Sequence, residues 1–166
     1  MLKTYEIVIG IDPDASKSGV GVVFNTDKQL SASVMDFPTL CQYLDGMRGL
    51  SVLVIVEAGW LVSSNWHLIG RKGVAWAASV GRSVGMNHQT GILIAQMARS
   101  YGLEVREQRP LKKIWRGKDG KISAEELRRL TGYIGRTNQD ARDALLLAWT
   151  YKNEKYFAKC LEDKHL

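Results

Sequence analysis

Two short apolar runs, each ending in an acidic residue, stand out in the hydrophobic pattern of the first part of the chain. Ile7–Asp12 and Ser51–Glu57 are rich in β-branched residues and carry an acid at the last position. Such continuous runs predict strands that are covered on both faces of a sheet. If both strands are central and parallel, Asp12 and Glu57 emerge at the same edge, where open α/β sheets place their functional sites. Each acid alone is equally well explained as a polar strand end.

The rest of the pattern predicts a hairpin after the first strand, two helices and a further strand. In chain order these are Val20–Phe24 with Gln29–Val34, Pro38–Met47, Asn87–Tyr101 closed by Gly102, and Leu103–Arg106. Residues 58–86 are rich in Gly, Ser and Trp and show little periodicity, which predicts a functional or partly mobile loop. Aromatic residues interleaved with Lys and Arg can stack on bases and contact phosphates, although tryptophans under a loop are more often core.

A second pair of acids lies at the start of a predicted helix over Thr137–Tyr151. Thr137 or Asn138 can cap this helix, and the sequence becomes almost wholly apolar after its first turn. Asp140 and Asp143 are three residues apart and therefore share one face, which turns towards the core. An acid in the first turn interacts well with the unpaired amides there, and this accounts for Asp140 alone. Two carboxylates aimed at a core repel each other, so they should take up protons or share a cation.

Positive charge is concentrated in the second half of the chain. The 166 residues carry a net charge of +6, with an isoelectric point near 9.4, and most of the surplus Lys and Arg lies within residues 106–136. The segment Arg109–Lys121 is a basic loop with turns at its glycines, and Ser123–Glu126 is a capping box that opens another helix, so Glu126 is interpreted as a cap. A basic segment of this kind favours a polyanionic partner, although a merely solvated face would look similar.

Length and composition predict a single α/β domain over residues 1–152, followed by a charged tail over residues 153–166. No apolar run is long enough to cross a bilayer, and the chain begins without the pattern of a signal peptide, so a cytoplasmic location and no membrane partner are expected. Cys41 and Cys160 are far apart, and neither they nor the three histidines show the spacing of zinc ligands.

Together the strand-end acids and the helix acids form a set of four carboxylates that can converge on one point. An all-oxygen set suits Mg²⁺ or Mn²⁺, and two such ions can hold the attacking and leaving oxygens of a phosphoryl displacement. Asp12 would bridge the ions, Glu57 would bind one, and Asp140 and Asp143 the other. No Ser-His or Cys-His arrangement offers a protein nucleophile. The basic loop would hold the nucleic-acid backbone that is cut.

The order of these motifs and their residues resemble those of the RuvC-type Holliday junction resolvases of the RNase H-like superfamily. Ile9-Gly-Ile-Asp12-Pro13, Ile55-Val-Glu57 and Asp140-Ala-Arg-Asp143-Ala-Leu are similar to three of the family's motifs, and the likeness covers most of residues 5–151. The resemblance implies a mixed sheet that starts with three antiparallel strands and continues with parallel ones, with helices on both faces. It also implies a homodimer that resolves four-way junctions in DNA recombination and repair. Such a crossover junction endodeoxyribonuclease makes paired, Mg²⁺-dependent nicks, with two ions per active site and Mn²⁺ as a substitute.

The resemblance also suggests roles for residues outside the acid set. Trp60 is similar to an aromatic residue that the family inserts into the branch point, and Lys112 or Lys113 to a lysine near the cleaved phosphate, so Lys113 joins the expected catalytic residues. Glu126 stands about where the family has a second lysine, so Lys118 or Lys121 would have to substitute for it. Asp14 replaces the family's usual glycine. The residues expected to contact DNA are Trp60, Arg71, Lys72, Arg82, Lys112, Lys113, Arg116, Lys118 and Lys121.

Other functional classes compete with this interpretation. Within the same fold, the substrate could be another branched DNA or an RNA, as in the related ribosomal RNA processing proteins. Actin-like and sugar-kinase ATPases also resemble Gly-Ile-Asp in their first strand, but they need two such domains and glycine-rich phosphate loops, for which this chain has no room. A binding module without catalysis would have no reason to keep four converging acids.

Overall fold

A five-stranded mixed sheet with helices on both faces forms the centre of the molecule. The computed structural model describes residues 1–62 and 73–157. Within these ranges the strands are β1 (Leu2–Thr4), β2 (Ile7–Asp12), β3 (Ser18–Phe24), β4 (Gln29–Met35), β5 (Val52–Glu57), β6 (Glu104–Gln108) and β7 (Lys155–Phe157). The helices are α1 (Phe37–Asp45), α2 (Val74–Ser100), α3 (Ala124–Thr131) and α4 (Gln139–Tyr151).

The sheet has the strand order β4-β3-β2-β5-β6. β2 pairs antiparallel with β3, and β3 with β4, so the first three strands form an antiparallel meander. β5 then adds parallel to β2 on its other side, and β6 adds parallel to β5. The predicted sheet, with an antiparallel start followed by parallel strands, is therefore confirmed.

The alternation of side chains along the central strands produces two separate cores. On one face, Ile7, Ile9 and Ile11 of β2 pack with residues of α1 and α2, among them Leu40 and Ile94. On the other face, Val8 of β2 together with Leu53 and Ile55 of β5 packs with residues of α3 and α4, among them Leu127 and Leu145. Every interior position of both strands is buried on one of these faces, which explains why neither strand shows polar alternation in the sequence.

The boundary of one predicted loop is wrong, and the predicted tail contains a short strand. The expected loop over residues 58–86 ends much earlier, because α2 begins at Val74 and runs unbroken to Ser100, where Gly102 with φ of +79° ends the turn after it. The first half of α2 is largely exposed, so its sequence lacks the apolar stripe that would indicate a helix. The charged tail over residues 153–166 also begins with ordered structure, since β7 pairs antiparallel with β1. Tyr156 of β7 stacks on Tyr5, with 4.6 Å between ring centroids; residues 158–166 lie outside the described ranges.

Candidate active site

The two strand-end acids lie side by side on the face of the sheet that carries α4. Asp12 follows Val8 and Gly10 in the alternation of β2, and Glu57 follows Leu53 and Ile55 in that of β5, so both share the α3 and α4 side. The two strands are parallel and in register up to Ile11 and its partner Val56. The acids at the next positions therefore meet at one edge, as the sequence predicts for two parallel strands.

A patch of three glycines brings α4 unusually close to this part of the sheet. A Cβ atom at Gly10 would lie 2.2 Å from the carbonyl oxygen of Ala144, and one at Gly21 would lie 2.2 Å from the Cα of Leu145. At Gly19, which pairs with Asp12 across the sheet, a Cβ would lie 2.1 Å from the carbonyl oxygen of Asp140. Only hydrogen fits at these positions, so the glycines let the helix backbone rest directly on the sheet.

The start of α4 then carries the second pair of acids to the first pair. Asn138 caps the helix, its Oδ1 accepting a 2.9 Å hydrogen bond from the amide of Ala141. Asp140 lies in the first turn and Asp143 one turn later, on the side facing the sheet edge. Asp143 is partly shielded and accepts two side-chain hydrogen bonds of 2.7 Å, from Nε2 of Gln139 to Oδ1 and from Nζ of Lys121 to Oδ2.

The electrostatics show that the four carboxylates are close enough to disturb one another. Burial raises the pKa of Asp12 to about 8, and the charges of Glu57, Asp143 and Asp140 add to this, while Lys121 opposes it. Burial also raises the pKa of Glu57, reinforced by the charge of Asp143. Burial likewise raises the pKa of Asp140, and the charge of Asp143 adds to this effect. A cluster of this kind is costly when fully ionised and gains from any cation that enters it.

The chemistry of these donors fits a hard divalent cation. All four side chains are carboxylates on fixed backbone elements, which is the ligand type that Mg²⁺ and Mn²⁺ prefer. Within residues 1–62 and 73–157, however, no three acidic, histidine or cysteine side chains already surround a common point at ligand distances. Both carboxylate oxygens of Asp143 instead accept hydrogen bonds within the protein, from Lys121 and Gln139. The four carboxylates therefore match a metal site in chemical type, while Asp143 is hydrogen-bonded to Lys121 and Gln139.

Clefts of opposite character flank the acid cluster. One is basic: Lys112, Lys113 and Lys121 line it together with Glu57 and Asp143. The other, of about 180 Å³, is aromatic and uncharged apart from the acids themselves. It is bounded by Asp12, Glu57, Trp60, Asn87 and His88, with neighbouring residues of the turn after β5 and of α2.

Trp60 lies in a short 3-10 turn directly after β5 and is only partly exposed. Its ring packs over Gly91 of α2, where an added Cβ would come within 2.5 Å of the ring, and its edge meets His88 with 6.1 Å between centroids. The packing alternative for this residue is therefore confirmed, while stacking on a base stays a prediction. The ring contributes to packing against α2, and it also borders the aromatic cleft beside Asp12.

The remaining residues that the sequence marks as DNA contacts are spread over two regions. Arg82 is exposed on α2, and Lys112, Lys113, Arg116 and Lys118 are exposed in the basic loop. Arg71 and Lys72 lie outside the described residues.

Two acids outside the quartet have local structural roles. The prediction that Glu126 is a cap is confirmed, since it forms a reciprocal capping box with Ser123 at the start of α3. Asp14 holds the turn after β2: its Oδ1 accepts a 2.8 Å bond from the amide of Ser16, and its Oδ2 a 3.2 Å bond from Asn87.

Three features of the site escape sequence reasoning. The sequence does not distinguish Lys121 from Lys118, yet in the structure Lys121 is the lysine that pairs with Asp143. The sequence also gives Gln139 no special mark, although its position four residues before Asp143 on a helix allows their hydrogen bond. The third is Gly19. Glycines alternating with valines in β3 are a signal of close backbone approach that could have revealed it.

The meander, the two added parallel strands and the helices on both faces define the RNase H-like fold, in the form found in RuvC. The solved structure of T. thermophilus RuvC in complex with a Holliday junction substrate matches this chain with a TM-score of 0.53. The match covers 87% of this chain and 91% of that one, at 19% sequence identity. Comparison of the sequence with protein-family models gives no match, and comparison with curated proteins gives none either. The described helices include none that is both long and apolar enough to span a membrane.

Proposed function

We propose that this chain is a divalent-metal-dependent nuclease that resolves four-way DNA junctions by paired nicks. The observation that carries the proposal is the grouping of four carboxylates at one sheet edge beside a basic cleft, where burial and neighbouring charges raise the pKa of Asp12, Glu57 and Asp140. Perturbed acids with a specific set of charge partners in a cleft are a mark of functional sites. The RuvC-like fold supports the same conclusion, because the matched protein was solved with a Holliday junction.

In this proposal Asp12, Glu57, Asp140 and Asp143 hold two Mg²⁺ ions, for which Mn²⁺ can substitute. Bound ions would supply an activated water and stabilise charge on the leaving oxygen of the phosphodiester. The protein's own task is then to fix the four ligands, and the glycine patch under α4 does so through backbone contacts that cannot flex easily. The release of the acids' mutual repulsion favours ion binding at neutral pH.

The basic cleft is the proposed seat of the phosphate backbone. Lys113 borders it next to Glu57, whose pKa its charge lowers, and it is the proposed catalytic lysine beside the scissile phosphate. Lys112 also lines the cleft, and Arg116 and Lys118 are exposed in the same loop. These three residues would fix the position of the strand without reading its sequence. On α2, Arg82 would extend this contact, together with Arg71 and Lys72 of the preceding segment.

The aromatic cleft on the other side of the acids is the proposed seat of an unpaired base. The partly exposed ring of Trp60 borders this cleft, and stacking of a base on an aromatic side chain is worth roughly 1–3 kcal/mol. In a junction, a base pair at the point where the arms meet would have to open to supply such a base. Two copies of the chain, each nicking one strand, would account for paired cleavage, so the proposal includes a homodimer in the cytoplasm acting in DNA recombination and repair.

Replacing Asp143 by Asn tests the proposal directly. We expect D143N to lose junction cleavage in Mg²⁺, because an amide cannot supply the charged ligand, while junction binding stays close to that of the unaltered protein. The matched control is Asp27→Asn, which removes one carboxylate from the exposed turn between β3 and β4, where Asn can still accept the bond from Gln29. Full cleavage by D143N would refute the assignment of the site.

The choice of substrates in the same assay separates junction resolution from its alternatives. Four-way junction, linear duplex, other branched DNA, RNA and RNA–DNA hybrid are compared at equal concentrations in Mg²⁺, and again in Ca²⁺. We expect cleavage of the junction in Mg²⁺ and binding without cleavage in Ca²⁺, since the looser coordination of Ca²⁺ disturbs the geometry. Preferred cleavage of RNA or of another branched DNA would keep the nuclease but replace its substrate.

A further inference from the structure

We infer that Lys121 is an internal cation that occupies the acid cluster, and that divalent ions must displace it from Asp143 in order to bind. The inference rests on the proposed metal site. It adds a regulatory contact to that site, because the same carboxylate serves two competing cations. Lys121 therefore affects metal binding indirectly, through its ion pair with Asp143.

The contacts of Asp143 show why an incoming ion meets competition. Its Oδ2 accepts a 2.7 Å charged hydrogen bond from Nζ of Lys121, and its Oδ1 accepts a 2.7 Å bond from Nε2 of Gln139. Both oxygens are therefore engaged inside the protein. The side chain of Asp143 is 15% exposed, so water does little to weaken the pair, and charge-assisted bonds of this kind are the stronger ones.

The two partners of Asp143 differ in how easily they can leave. The amide of Gln139 is held at both ends: its Oε1 accepts a 2.9 Å bond from Arg142, and its Nε2 also donates to the carbonyl of Ile122. Among the described residues, the ammonium group of Lys121 donates a hydrogen bond only to Asp143. Its side chain is 36% exposed, so one end of it already faces solvent. The lysine is therefore the partner that an ion would displace, which frees Oδ2.

The backbone on either side of Lys121 is fixed, so the exchange requires only a side-chain movement. The amide of Lys121 donates to the carbonyl of Lys118 at 3.1 Å, and Trp115 donates to the carbonyl of Gly120 at 3.0 Å. On the other side Ile122 is fully buried. The cleft next to the ammonium holds about 60 Å³ of free space, while a water-sized group needs roughly 10–15 Å³. The displaced ammonium thus has room beside Lys112 and Lys113.

The charge of Lys121 reaches the other acids as well. It lowers the pKa of Asp12, of Glu57 and of Asp140, each of which burial raises. Before an ion enters, this single ammonium therefore offsets part of the repulsion in the whole cluster. After an ion enters, the same positive charge joins the basic cleft, so metal binding makes that surface more attractive to a polyanion.

Binding of Mn²⁺ to the DNA-free protein, measured by isothermal titration calorimetry, tests the inference without any cleavage. Lys121→Met removes the competing charge and keeps the chain length, so we expect Mn²⁺ to bind about threefold to tenfold more tightly. Lys121→Arg keeps the charge and offers a two-pronged grip on the carboxylate, so we expect weaker binding than in the unaltered protein. Lys3→Met removes one charge from the exposed strand β1, which borders neither cleft, and should leave the Mn²⁺ affinity unchanged within twofold.

The outcomes separate this inference from the proposed function. Tighter binding by K121M together with weaker binding by K121R supports displacement of the lysine. Equal or weaker binding by K121M overturns the inference and leaves the nuclease proposal standing, because Lys121 would then be a structural partner of Asp143. Absence of Mn²⁺ binding in every variant overturns the metal-dependent function as well. K121R retains the ion pair with Asp143. Its Mn²⁺ affinity therefore tests the inference even where the loss of charge in K121M weakens folding.

Discussion

Gly19→Ala is the substitution that most directly tests how the fold builds the site. Gly19 pairs with Asp12 across the sheet, and the added Cβ would lie 2.1 Å from the carbonyl oxygen of Asp140 and 2.4 Å from its carbonyl carbon. Ordinary contact begins at 3.4 Å, so the start of α4 would have to move by roughly 1.3 Å. Both opposing atoms are backbone, and no side chain can rotate away to make room.

The size of the effect follows from this displacement. Overpacking a tight contact costs about 1–3 kcal/mol of stability. A shift on the order of 1 Å in catalytic groups costs roughly 100-fold in rate, so G19A should cut junctions about 100-fold more slowly than the unaltered protein. Mn²⁺ affinity should fall as well, because Asp140 and Asp143 would move away from Asp12 together.

Urea unfolding, Mn²⁺ titration and junction cleavage measure these three quantities. Gly81→Ala is the control: Gly81 lies on an exposed part of α2 with open space around it, and alanine there should stabilise the protein by about 0.5–1 kcal/mol. Gly21→Ala presses on Leu145, further along α4, so it should cost similar stability but less activity. If G19A matched the unaltered protein in stability and in cleavage, the argument from the glycine patch would be wrong.

Two further predictions concern Asp12 and Trp60. Because the pKa of Asp12 rises from 3.8 to about 8 on folding, the folded protein binds a proton that the unfolded chain releases between those values; the metal-free melting temperature should therefore fall as pH rises through this window. Excess Mg²⁺, or Asp12→Asn, should flatten this slope in thermal melts, and a melting temperature that rises with pH would contradict the assignment. Trp60→Ala should slow junction cleavage at least tenfold while weakening junction binding only slightly, and Trp60→Phe should retain most of the rate because Phe can still stack on a base. Equal single-turnover rates for all three proteins would mean that the ring only packs against α2.

The acids could be picked out from the sequence because they recur in a pattern, although each one alone is equally well explained by local structure. Asp12 and Glu57 end two similar apolar runs, and Asp140 and Asp143 share one face at the start of a helix that becomes apolar. The relative directions of the strands also follow from local features, since a hairpin must be antiparallel and a helical crossover favours parallel strands. These inferences need only short stretches of chain.

The features that the sequence could not reveal depend on contacts between distant segments, or on the small number of contacts that a segment makes. The first half of α2 packs against little of the described protein, so no apolar periodicity marks residues 74–86 as helical. β7 exists because it pairs with β1 at the other end of the sequence. The choice of Lys121 over Lys118 depends on the direction of a side chain at the end of a tight turn. Spacing in the sequence does not determine that direction.

The seating of α4 on bare glycines has a consequence for how the protein is made. β2, β3 and β5 leave the ribosome well before α4, so during synthesis the nascent chain exposes the groove over Gly10, Gly19 and Gly21 with nothing yet to fill it. Asp12 and Glu57 are then present without Asp140 and Asp143. Until α4 has been synthesised, the nascent chain therefore lacks half of the carboxylates. Under the proposed function, cleavage would require α4 to be docked on these glycines.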